Sequence, residues 1–163
     1  MITVMDIETT SNGPDRSPSF YWPENSIVSV GWNTEEANEY TCIKHNTKST
    51  HPKAQEKLQY VLDNTTLLIG HNIKFDLGWL QECGFEYEGK IYDTMIYEYY
   101  NAGGKNIKLD LSSCCRRYGL PVKLDEAGQL FADGYGYEAM PWKVVEEYGR
   151  NDVEITKQLY KAQ

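Results

Sequence analysis

The stretch MITVMDIETTSNGP, residues 1–14, decides how the rest of the chain is read. Ile2, Val4 and Ile7 are β-branched residues of the kind that line a strand, yet among them stand Asp6 and Glu8, one residue apart. Side chains alternate along a strand, so both carboxylates leave it on the same side, roughly 7 Å apart at a rise of about 3.3 Å per residue. Like charges so placed repel unless a cation lies between them. The pair therefore reads in two ways: a strand end entering a solvated acidic turn, or half of a divalent-metal site.

Beyond this strand, residues 11–25 are rich in Pro, Gly, Ser and Asn and read as a long loop. Two short strands, 27–32 and 40–44, with a turn at 33–38, extend the first into an antiparallel meander. Ala54, Leu58, Val61 and Leu62 recur at helical spacing, which predicts a helix over 51–63 with Pro52 in its first turn. Residues 67–70 are wholly apolar, as in a strand covered on both faces. Asn72 is placed to cap a helix over 73–82, which Gly84 would stop. Residues 92–95 read as a strand end passing into a helix that Gly103 and Gly104 break, and 111–118 as a helix closed by Gly119. Residues 122–139 give loop-like or mixed signals. Residues 141–162, opening on Pro141, form one long helix or two meeting near Gly149. The pattern predicts an α/β fold of three layers, a mixed central sheet flanked by helices, in a single domain over residues 1–163.

With 163 residues, 40% of them hydrophobic, the chain has the material for one core and needs no second domain. A net charge of −8 argues against a protein that coats nucleic acid, which draws on Lys and Arg. It leaves room for an enzyme that meets phosphate through bound cations. No apolar run has the length of a membrane span, and the N-terminus lacks the features of a secretory signal. The expectation is a soluble protein of the cytoplasm, or of a host's cytoplasm were a phage to encode it, with no membrane partner. Cys42, Cys83, Cys114 and Cys115 have no CxxC spacing and two are adjacent, which suits reduced thiols better than zinc or disulfides.

Two further segments carry candidate chemistry. In GHNIKFD (70–76), Asn72 and Asp76 are four apart and share a face of the first helical turn; in YGRND (148–152), Tyr148 and Asp152 have the same spacing. Each also has an ordinary reading, Asp as a complement to a helix N-terminus and Tyr as half-buried packing. Together, Asp6, Glu8, Asp76 and Asp152 offer four hard oxygen ligands, a set that fits Mg²⁺ or Mn²⁺ and not a structural zinc site. Two such ions about 3.5–4 Å apart can grip the attacking and leaving oxygens of a phosphodiester.

DIETT, GHNIKFD and YGRND resemble, in order, the three motifs of the DEDD superfamily of 3′→5′ exonucleases, whose fold is ribonuclease-H-like. Tyr-x-x-x-Asp resembles the tyrosine subclass, found in the proofreading domain of bacterial DNA polymerase I and in ribonuclease D. Where the histidine subclass places its His, this chain has Glu147. Residues 92–95 and 109–111 are also similar to polymerase I-type sequence, so the resemblance spans nearly the whole chain. The sequence ends eleven residues after Asp152, which leaves no room for a polymerase domain, so the expectation is a freestanding exonuclease. The resemblance implies a two-metal site. It further implies that Asp6 bridges two divalent ions, Mg²⁺ or Mn²⁺, that Glu8 and Asp152 complete the tighter site, and that Asp76 holds the second ion largely through water. Tyr148 would orient the attacking water, and the products would be 5′-mononucleotides.

Asn72 and Phe75 match positions near the terminal nucleotide, with core packing an equal reading for Phe75, and Thr9 could meet the terminal 3′-OH. Lys105, Lys108, Arg116, Arg117 and Lys123 either track the strand or form a solvated face. Asp93 reads as an N-cap. The substrate implied is a single-stranded DNA 3′ end, ahead of the RNA of a ribonuclease D-type enzyme, with replication or repair proteins as partners. An alternative of another class is a catalytically silent nucleic-acid-binding domain.

Overall fold

The computed structural model describes residues 1–122 and 126–163. In chain order the elements are β1 (Ile2–Thr9), β2 (Ile27–Asn33), β3 (Asn38–Cys42), α1 (Ala54–Asp63), β4 (Leu67–Gly70), α2 (Ile73–Glu82), β5 (Lys90–Asp93), α3 (Thr94–Asn101), α4 (Leu111–Arg117), α5 (Glu126–Ala132) and α6 (Trp142–Ala162). The strands form one sheet in the order β3-β2-β1-β4-β5. β1, β2 and β3 pair antiparallel as the predicted meander, while β1, β4 and β5 run parallel, so the sheet is mixed.

Alternation along β1 sorts its side chains between two apolar layers. Met5 and Ile7 join Leu58 and Leu62 of α1 and Ile73, Trp79 and Leu80 of α2 on one face. Val4 turns to the other, where it packs with Ile69 and with Val153 of α6. β4 is divided the same way, Leu68 into the first layer and Ile69 into the second, the two-sided burial its apolar run predicts. α6 crosses the second face against β1, β2, β3 and β4, with α4 and α5 packed beside it. This is the three-layer, ribonuclease-H-like arrangement. No helix among the described residues is long and apolar enough to cross a membrane.

Some expectations are corrected. Residues 126–132, read from sequence as loop-like or mixed, form α5, a short helix whose Ala127 is buried with Val28, Met140 and Val145. β3 starts at Asn38, where the sequence suggested 40, and α1 starts at Ala54, past Pro52. α6 is one continuous helix through Gly149. Asn72 stands at the start of α2, but its side chain makes no capping bond and its backbone is left-handed, φ 62° and ψ 42°. The cap comes from Asp93, a neighbour across the sheet. Of the basic residues, Arg117 is bound to Glu98 and to the Lys108 carbonyl, while Lys123 lies outside the described residues.

Candidate active site

Because Val4 faces α6, Asp6 and Glu8, two and four residues on, face it too. α6 buries a stripe of Val145, Gly149, Asp152, Val153 and Thr156, and within that stripe Asp152 is only 1% exposed. A carboxylate in an apolar stripe is costly unless its surroundings compensate it. Here it meets the two from β1: one oxygen each from Asp6, Glu8 and Asp152 lie within 4.8 Å of one another.

Asp76 arrives from the other layer. β1 pairs with β4 only as far as Val4 opposite Ile69 and then outruns it, so the backbone of Ile7 has no strand partner on that side. α2 begins just after β4, and its first turn brings Asp76 Oδ1 to accept the Ile7 N–H at 3.1 Å. The Asp76 carboxyl is pushed well above the ordinary carboxylate range by burial and then by the neighbouring Asp6 charge, with the Ile7 N–H acting in the opposite sense. Asp76 thus stands beside Asp6 without an oxygen in the tight trio.

The start of α2 is fixed by a double cap. Asp93 Oδ1 accepts the N–H of Asn72 at 3.0 Å and of Met95 at 2.9 Å, while Oδ2 accepts that of Ile73 at 3.1 Å. His71 clamps the same junction, with Nδ1 at 2.8 Å from Thr94 Oγ1 and Nε2 at 2.8 Å from the Leu109 carbonyl. The second motif, 70–76, is therefore joined to Asp93 and Thr94 and to the Leu109 carbonyl through backbone and side-chain hydrogen bonds.

Tyr148 is half-buried on α6, one turn before Asp152. Its phenol is pushed far above its ordinary value by burial, then by the charges of Asp152 and Glu8, while a hydrogen bond with Tyr137 pulls the other way. At neutral pH it is a neutral phenol, suited to orienting a water and not to taking its proton. Phe75 is half-buried against the α1–α2 layer, and Thr9 is 5% exposed at the end of β1. Between Glu8 and Thr9 the register with β2 slips, from Ser29 to Ile27, leaving Val28 as an extra residue. This bulge turns Val28 toward Val145 on the α6 side and ends the regular ladder at the site. The loop at 11–25 is fastened down by Asn25, which donates to the carbonyls of Ser17 and Ser19 at 2.9 Å and accepts from Asn12 N at 2.7 Å.

Tyr40 escaped the sequence reading. Register places it directly across from Gly31, which is itself across from Asp6. A Cβ on Gly31 would stand 2.8 Å from Tyr40 Cδ2, and one on Gly149 would collide with Tyr40 Oη and Cε2. The ring fills the space that two glycines leave, and its hydroxyl lies 2.7 Å from Ser29 Oγ and donates to the Val145 carbonyl at 3.2 Å. Burial and then the Glu8 charge hold its phenol well above the usual range. Tyr137, at the other side of Tyr148, was also missed, because it lies in the segment that showed no periodicity.

A family model described as 3′-5′ exonuclease matches residues 6–162. No curated protein matches the chain by sequence. Among solved structures, a nuclease in its apo form aligns with a TM-score of 0.70 at 15% identity, covering 99% of this chain and 70% of that one. The family B DNA polymerase of the archaeon Pyrobaculum calidifontis aligns with a TM-score of 0.67 at 15% identity, covering 98% of this chain and 24% of that one. Brucella melitensis NrnC aligns with a TM-score of 0.65 at 16% identity, covering 99% of this chain and 70% of that one. At these identities the likeness is one of fold.

Proposed function

Since this chain belongs to the 3′-5′ exonuclease family of the DNA polymerase A type, we propose that it removes 5′-mononucleotides from single-stranded DNA 3′ ends at the carboxylate site between β1 and α6. The observation that carries the assignment of the site is the convergence of Asp6, Glu8 and Asp152 oxygens within 4.8 Å. The donor set is all carboxylate oxygen, which fits hard divalent cations, Mg²⁺ or Mn²⁺. When bound, such ions supply positive charge that acidifies water and offsets the charge of the phosphodiester.

The chain's own contribution is to hold and to orient. Asp6, Glu8 and Asp152 hold the cations, and Asp76, beside Asp6, extends the site toward α2. Neutral Tyr148 orients the attacking water through its hydroxyl, which is a matter of placement and not of basicity. Thr9, at the bulged strand end, meets the terminal 3′-OH, and Asn72 and Phe75 flank the last nucleotide. Asn72 is a non-glycine residue with φ 62°, a sparsely occupied conformation that Asp93 fixes by accepting its N–H. The acidic chain, net −8, engages the strand at its end more than along its length. The DNA preference rests on the polymerase type of the family.

The test is a 5′-labelled single strand, DNA and RNA in parallel, incubated with Mg²⁺ or Mn²⁺. The expected result is a DNA ladder shortening from the 3′ end, abolished by chelator and by Asp6→Ala. Shortening of RNA alone would reverse the polymer preference. Strand binding without shortening of either polymer, under any divalent metal, would leave a silent binding domain and overturn the proposal.

A further inference from the structure

Tyr137 lies in the connection between α5 and α6, and nothing in the three carboxylate motifs points to it. Its ring stacks near that of Tyr148, centroids 5.8 Å apart and planes 30° from parallel, and the two hydroxyls are hydrogen-bonded. It is held from behind. Its ring packs in the cluster of Val28, Ala127, Met140 and Val145, and Phe131 of α5 lies 5.8 Å from it. Phe131 is in turn covered by the Arg16 guanidinium, 4.2 Å above its ring, while Arg16 Nη1 donates to the Phe131 carbonyl at 3.1 Å. A ladder of Arg16, Phe131, Tyr137 and Tyr148 thus runs from the loop after β1 into the acidic site.

A phenol has one proton to donate and oxygen lone pairs to accept with, whereas ionised carboxylates only accept. Tyr148 feels the nearby charges of Asp152 and Glu8 and is hydrogen-bonded to Tyr137, a bond that favours its ionised form and so makes Tyr148 the acceptor. Its own proton is therefore directed to the carboxylates. We propose that Tyr137 is a positioning residue for exonucleolytic cleavage: its hydroxyl occupies the outer lone pair of Tyr148 and so fixes the Tyr148 O–H bond toward the water held among Asp6, Glu8 and Asp152. The inference rests on the role given to Tyr148 above. Without Tyr137 the Tyr148 hydroxyl turns between orientations, and only a fraction of them address the water.

The test compares wild type, Tyr137→Phe, Tyr148→Phe and the double variant on a 5′-labelled single strand with Mn²⁺, recording kcat and KM separately and the thermal midpoint of each protein. Tyr137→Phe keeps the ring, so its packing is preserved and the midpoint falls by no more than the loss of one hydrogen bond, a few degrees at most. The expected result is a fall in kcat of about tenfold, the worth of one hydrogen bond, with KM unchanged. The double variant is expected to be no slower than Tyr148→Phe, because the two residues act through one hydroxyl. A Tyr137→Phe rate equal to wild type, or losses that multiply in the double variant, would overturn the inference while leaving Tyr148 in place. A Tyr148→Phe rate equal to wild type would overturn both.

Discussion

One methyl group is enough to probe the packing behind the carboxylates. Gly149 lies on the buried stripe of α6, where a Cβ would collide with Tyr40, and Tyr40 cannot swing aside without losing Ser29 Oγ and the Val145 carbonyl. Glycine within a helix ordinarily costs stability relative to alanine, so Gly149→Ala would stabilise an open site. Here the opposite sign is expected, a loss of about 1–3 kcal/mol from overpacking, read as a lower denaturant midpoint at unchanged slope. A raised midpoint would mean that the ring yields. At this scale the sequence was legible where the spacing is local. The shared side of Asp6 and Glu8 follows from strand alternation, and the pairing of Tyr148 with Asp152 from the helical turn. Tyr40 was not legible, since its fit between Gly31 and Gly149 depends on a strand register and on a helix packed from the far end of the chain.

At the scale of elements, the placement of α2 depends on a residue that does not belong to it. Asp93 was expected to cap α3 and does so through Met95 N and Ile96 N, but it also takes the N–H groups of Asn72 and Ile73 at the head of α2. The sequence suggested Asn72 for that task because a cap is sought in the same segment. The actual acceptor sits on the parallel neighbour strand, which only the sheet order reveals. Asp93→Ala would strand four N–H donors, with an expected loss of about 2–4 kcal/mol. Because α2 carries Asp76, the variant should also lose exonuclease activity below its melting temperature. Full activity in a destabilised variant would show that the α2 terminus tolerates displacement. α5 was hidden for a different reason: it is a short helix, Glu126–Ala132, containing Gly128, and so shows too little periodicity to read.

Across the whole molecule, α3, α4 and Gln163 beyond α6 are tied together away from the carboxylates by Glu98, which is 3% exposed. Its Oε2 accepts from Arg117 Nε and Nη2 at 2.9 and 2.6 Å, and its Oε1 from Tyr118 Oη at 2.8 Å and Gln163 Nε2 at 3.0 Å. Burial alone would raise the carboxyl, but these hydrogen bonds outweigh it and hold Glu98 below the usual range. A carboxyl depressed in the folded state contributes stability above its unfolded value, about 4.3, and that contribution disappears as the pH falls through the folded value. Glu98→Gln is therefore expected to lose on the order of 2 kcal/mol at pH 7, with the gap from wild type closing below about pH 4. Denaturant midpoints at pH 7, 5 and 3 check this, and a gap that stays constant would refute it. The architecture at this scale was legible because each strand and long helix carries its own period, and the mixed sheet follows from their order. The Glu98 network was not, since it joins α3, α4 and Gln163 through side chains that no period links. The carboxylate trio shares that property, with Asp6 and Glu8 among the first residues and Asp152 among the last. In synthesis Asp6 and Glu8 emerge well before Asp152, so the three carboxylates can converge only once α6 has been made. The site is therefore assembled by the docking of α6 on the sheet and has no local precursor in either segment alone.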